Sequence, residues 1–146
     1  MKKISRKVGI ALLGLFIIIG LSSAIPVEAK PPVLWEIDAW YTFDPEWTGD
    51  IYRDDGSHGM FVLDLLEARD LPDVQHSSGV WSIVLDNGEY LMGEAAGHVV
   101  WSTGEYVLNG MVTDTSSAFD YLNGRQVHIE GYITPIWTTL AVLQIN

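Results

Sequence analysis

Two histidine–carboxylate sets are the first places in this chain where residue type and spacing could do chemistry. Glu94 lies four residues before His98, and His128 lies two before Glu130. In a strand, where side chains alternate between faces, both offsets put the two groups on the same side. Were the two strands neighbours, two histidines and a carboxylate would converge. Zinc takes three or four ligands, and the chain has no His-x-x-x-His or His-x-His pair, so no metal is assigned. Gln126, His128 and Glu130 alternate with Val127 and Ile129, so three polar groups share one face. Turned outward they are ordinary surface. Turned into a lumen they form a polar pocket floor with a titratable imidazole, suited to proton transfer.

Other candidates are weaker. Asp50, Asp54, Asp55 and Ser57, with Asp44, supply hard oxygens for calcium, but the alternating Asp-x-Asp-x-Asp-Gly loop is missing. Asp54-Asp55-Gly56 reads more simply as a turn. No Gly-x-Ser-x-Gly elbow is present, and the Ser-Ser pairs at 77–78 and 116–117 fall in expected loops. Paired carboxylates for glycoside hydrolysis carry no information in a chain this acidic. The indoles are more telling. Trp35, Trp81 and Tyr106 are in phase with apolar neighbours and belong to the core. Trp40 shares its face with Glu36 and Asp38, and Trp47 lies in a polar stretch. Indoles bordered by carboxylates suit a glycan, or a small cationic or amphipathic molecule. No cofactor motif is present.

The elements that must position these groups follow an N-terminal export pattern. Lys2, Lys3, Arg6 and Lys7 precede the apolar run Val8–Leu21, and Val27-Glu28-Ala29 offers small residues at the cleavage positions. The run is short for a bilayer anchor, which takes about 20 apolar residues. Residues 1–29 are therefore expected to be a signal peptide, cut before Lys30 or alternatively after Ala24, and the mature domain to be secreted. That cut leaves 117 residues with 4 basic and 18 acidic groups, a net charge of −14. Such a surface repels nucleic acid and anionic lipid. The chain has no cysteine, which excludes disulfides, thiolate chemistry and Cys-type zinc sites.

The mature stretch, residues 30–146, reads as one all-β domain. Val33, Trp35, Ile37, Ala39 and Tyr41 alternate with Leu34, Glu36, Asp38, Trp40 and Thr42, the signature of a half-buried strand. Phe43–Gly59 is turn-rich. Met60–Ala68, Val80–Leu85, Glu89–Glu94, Gly97–Ser102, Glu105–Thr113, Gln126–Thr134 and Thr138–Ile145 are the further expected strands. Leu71–Gly79 and Thr115–Gly124 are expected loops, and Asp86-Asn87-Gly88 is a hairpin turn. Short strands joined by tight turns indicate a single antiparallel barrel of seven or eight strands, up-and-down in topology, with a sandwich as the alternative. The expected core is Val33, Trp35, Ile37, Phe61, Trp81, Ile83, Val99, Trp101, Tyr106, Leu108, Ile129 and Leu143.

Thr103-Gly104-Glu105-Tyr106, Gly110-Met111-Val112, Leu122-Asn123-Gly124 and Glu130-Gly131 resemble the glycine-punctuated hairpins of small calycin-type barrels. Among these they look most like the allene oxide cyclase and dirigent type. The resemblance covers about 30 residues. It implies a barrel, and no functional residue is carried over from it. The expected function is non-enzymatic binding of a small or glycan ligand outside the cell, with Glu36, Asp38, Trp40, Trp47, Gln126, His128 and Glu130 as candidate contacts. The alternatives are an isomerase- or cyclase-like barrel enzyme using His128 and Glu130, and a structural cell-surface protein.

Overall fold

The computed structural model describes residues 31–42 and 46–146. The expected signal peptide and Asp44 lie outside them. Eight strands run β1 Val33–Tyr41, β2 Glu46–Tyr52, β3 His58–Asp70, β4 Val74–Leu85, β5 Tyr90–Val100, β6 Glu105–Thr115, β7 Gln126–Ile133 and β8 Thr138–Ile145. Each pairs antiparallel with the next, and β8 returns to β1, closing the sheet into a barrel. Closure leaves no sheet edge unpaired, which a small acidic domain would otherwise have to protect.

Period-two alternation builds the interior. In β1 Val33, Trp35, Ile37 and Ala39 point inward, while Leu34, Glu36, Asp38 and Trp40 point out. Inward side chains from every strand, among them Trp81, Ile83, Leu91, Val112, Ile129 and Leu143, make one continuous core. Fully burying each such aliphatic chain is worth about 1.5–3 kcal/mol. Asn87 caps the β4–β5 hairpin by accepting from the Glu89 N–H at 3.0 Å, and Gly88 takes φ 85° there.

The interior departs from the sequence reading in four places. The turn-rich stretch holds a strand, β2, whose inward positions are Trp47, Gly49 and Ile51. Its pattern is hard to see because a glycine occupies the middle inward site. That glycine is required: a Cβ on Gly49 would overlap the Ala39 backbone across the ladder. β4 begins at Val74 rather than Val80, because its early inward residues, Gln75 and Ser77, are polar. The two short strands expected over 89–102 are one continuous β5. Finally, the expected loop at Thr115–Gly124 contains a 3-10 helix, Ser117–Leu122, which buries Phe119 and Leu122.

The expected core is buried with two exceptions. Tyr106 is half-buried, and Trp101 stands 39% exposed. Both belong to one end of the barrel, and that end is where the interior opens.

Candidate functional site

The β1–β2, β3–β4, β5–β6 and β7–β8 connections all lie at the same end, because alternate hairpins of an up-and-down barrel turn at alternate ends. Below them is a cavity of about 180 Å³, and its floor and walls are apolar: Phe61, Leu63, Leu65, Val99, Leu108 and Ile129. Among the described residues lining it there is no Asp, Glu, Lys or Arg.

Aromatic side chains ring the opening. Trp47 and Tyr41, opposite each other across β1 and β2, have ring centroids 5.3 Å apart. Tyr41 packs against Trp137 at 5.6 Å, and Trp137 meets Trp101 edge-on at 5.9 Å. Backbone bonds fix these rings in place. The Tyr41 N–H donates to the Trp137 carbonyl at 3.0 Å, tying the β7–β8 connection to β1. The Trp101 N–H donates to the Asp73 carbonyl at 2.9 Å. The Asp73 carboxylate also accepts from the Ser102 N–H at 2.8 Å and the Ser102 hydroxyl at 2.6 Å, pinning the β5–β6 turn to the β3–β4 connection. Trp137 is held at φ 60°, the only non-glycine residue with positive φ among those described. For a bulky side chain that conformation costs about 1–2 kcal/mol. The surrounding contacts hold it there, a pattern that concentrates at functional sites.

Polar groups reach the cavity at Tyr106 and Thr139, at Gln75 and Ser77, and at His98. Tyr106 and Thr139 share a hydroxyl–hydroxyl bond of 2.9 Å. Gly131 makes this possible, since a Cβ there would press on the Tyr106 hydroxyl. Burial pushes the Tyr106 pKa up to about 12, against a partial opposing effect of the Thr139 bond, so the phenol stays protonated. Across the cavity, Gln75 donates to Asp70 at 2.6 Å and accepts from the Ser77 hydroxyl at 3.4 Å. An apolar enclosure with a few fixed hydroxyl and amide groups is how small-molecule sites are built.

Of the candidate contacts read from the sequence, only Trp47 reaches this cavity. Trp40 lies on the outer wall, 49% exposed, whereas Trp47 is 7% exposed inside. The two indoles face opposite sides of the β1–β2 ladder and form no joint platform. Glu36 and Asp38 share the outer face with Trp40. Gln126, His128 and Glu130 also line the outside, so they are not a pocket floor. His128 bonds Asn109 at 2.8 Å and Glu130 at 3.3 Å there. His98, exposed at the edge of the cavity, packs beside His76 with ring centroids 6.0 Å apart, rather than beside His128. Asp55 accepts from the Ser57 N–H at 2.9 Å and pairs with Arg53 at 3.1 Å, the bonding of a closed turn. Among the described residues no group of three His, Asp or Glu side chains is placed to hold a metal ion.

The residues that sequence reasoning missed are Tyr41, Gln75, Ser77, Trp137 and Thr139. A signal existed for three of them. Gln75 and Ser77 alternate with Val74, His76 and Ser78 just ahead of an apolar strand, and Trp137 follows Thr-Pro-Ile in a tight connection where glycine would be the easy choice. Compared with family models, with curated proteins and with solved structures, the chain matches none of them, so the barrel and its open lumen are what describe it.

Proposed function

We propose that this chain is an exported, non-enzymatic binding protein that takes a small, largely apolar molecule into the open end of its barrel. The observation that carries the reading is the cavity itself, about 180 Å³ with apolar walls and aromatic rings at its entrance. An apolar cavity of about 150 Å³ admits benzene, so this one suits a single substituted ring or a branched chain of similar bulk. Tyr106 and Thr139 satisfy one another when the site is empty and can turn one hydroxyl toward a ligand acceptor. A glycan on the Trp40 face would lack the enclosure that the lumen supplies. The enzyme reading draws no support from His128 and Glu130, which stand on the outer wall. Export rests on the basic and apolar pattern of residues 2–21, and secreted material should begin at Lys30 by mass spectrometry.

The test fills the lumen. Toluene and tert-butylbenzene should bind the native chain in ligand-observed NMR. Leu65→Trp, which places an indole in the cavity, should abolish that binding while leaving the β-sheet circular dichroism unchanged. Native protein that binds neither probe, or a filled variant that binds them as well as the native chain, overturns the reading.

A further inference from the structure

The lumen reading leaves open why so many indoles crowd its entrance. Apolar capture alone would be served by Leu or Ile, which line the floor. Three features of the entrance point to a charge on the ligand. First, Tyr41, Trp101 and Trp137 are inclined to one another, at 34° and 63°, rather than stacked flat. A cation within about 6 Å of a ring centroid is attracted by its quadrupole, and three non-parallel rings at one mouth offer that attraction from more than one direction. Second, the strand ends and connections at this end carry Glu46, Asp70, Asp73 and Glu105. Among the described residues Arg69 is the one Lys or Arg side chain at that end, where the imidazoles of His76 and His98 also stand, since Arg53 and Arg125 adjoin the β2–β3 and β6–β7 connections opposite. With a whole-chain net charge of −11, the field at the mouth concentrates cations and excludes anions. Third, no carboxylate lines the cavity, so a strongly hydrated primary ammonium would lose its water without a partner. A weakly hydrated quaternary ammonium avoids that penalty, and aromatic faces are the groups that recognise it. The chain makes such a contact within its own fold, where the Arg53 guanidinium lies 5.5 Å over the Trp35 ring.

We infer that the aromatic ring at the mouth selects an amphipathic monocation, its quaternary ammonium held among Tyr41, Trp101 and Trp137 and its apolar part filling the lumen. This rests on the lumen-binding reading and adds to it the sign and place of the ligand's charge. Trp137 is the pivotal residue. Its strained backbone aims the indole between Tyr41 and Trp101, a position that a relaxed turn residue would leave empty.

The experiment compares two probes of nearly identical shape, phenyltrimethylammonium and the neutral tert-butylbenzene, by titration into the full chain, with benzenesulfonate as the anionic control. The cation should bind about tenfold more tightly than its neutral isostere, within the range cation–π contacts supply. Benzenesulfonate should not bind. Trp137→Leu should weaken the cation about tenfold and the neutral probe no more than about threefold. Trp101→Leu, at the neighbouring ring whose backbone is not at positive φ, should weaken the cation selectively as well, and provides the readout if Trp137→Leu misfolds. Equal affinities for cation and neutral isostere overturn the charge inference while leaving the lumen reading standing. Binding of neither overturns both.

Discussion

The two ends of this barrel are built from the same eight strands and finish differently. At one end the β6–β7 connection turns inward as a 3-10 helix, and Phe119 and Leu122 drop into the interior against Trp35. The Trp35 ring meets Phe119 edge-on at 6.4 Å, and the Arg53 guanidinium lies over the same indole at 5.5 Å. At the other end the inward positions carry Gln75, Ser77 and Thr139, and a cavity of about 180 Å³ remains among the described residues. Strand alternation is common to both ends. What differs is whether the chain spends a connection as a plug. The lumen is therefore set by both the plug at one end and the small or polar inward residues of the strands at the other.

The sharpest way to break the comparison is to remove the plug. Leu122→Ala should destabilise the domain by about 2–5 kcal/mol, because Leu122 is fully buried and the space it leaves cannot collapse in a closed sheet. Chemical denaturation would measure it. A loss below about 1 kcal/mol would mean the plug is loosely seated and the two ends are alike.

A test at the open end uses alkali. Tyr106 has a folded pKa near 12, above its ordinary value of 10.0, so its contribution is present in full below pH 10. It is lost as pH rises from 10 to 12, where the unfolded phenol ionises and the buried one does not. The loss reaches roughly 3 kcal/mol by pH 12, and Tyr106→Phe should flatten that part of the stability profile. A phenylalanine variant with the same alkaline slope as the native chain would show that Tyr106 is not held in an apolar wall.

The smallest expected effect returns to the closed end. The His58 Nδ1–H donates to the Asp86 carboxylate at 2.9 Å, and Nε2 lies 3.6 Å from Asp50. The bond to Asp86 raises its pKa, partial desolvation opposes this, and the charges of Asp86 and Asp50 add to the rise. The stabilisation is present below the ordinary histidine value of 6.5 and fades as pH climbs through the higher folded value. Melting temperature should fall slightly between about pH 6 and 8 in the native chain and not in His58→Gln. This exposed pair should leave ligand affinity at the far end unchanged, and a parallel loss of binding would show that the two ends communicate.

The strands were legible where one face was apolar and the other carried polar groups, as in Val33–Tyr41, since period-two alternation is a local property. It failed where inward residues were not apolar. β2 hid behind Gly49, and the start of β4 hid behind Gln75 and Ser77, which point inward because they border a cavity. Those positions mislead for the same reason that they matter: a lumen wall does not have to look like a core.

The sequence by itself determined that this is an all-β domain, acidic, without cysteine, and punctuated by turns at the hairpins. Composition and short-range spacing are enough for that, because each strand's two faces and each turn's backbone needs are written within a few residues. Only the tertiary structure decided which face of each strand is the inside of a closed barrel, which end is plugged, and which aromatic rings meet. Gln126, His128 and Glu130 share a face in either reading, and nothing local says whether that face is lumen or exterior. Tyr41, Trp47, Trp101 and Trp137 are spread over almost a hundred residues, and they become one site because barrel closure places their four chain segments at one rim.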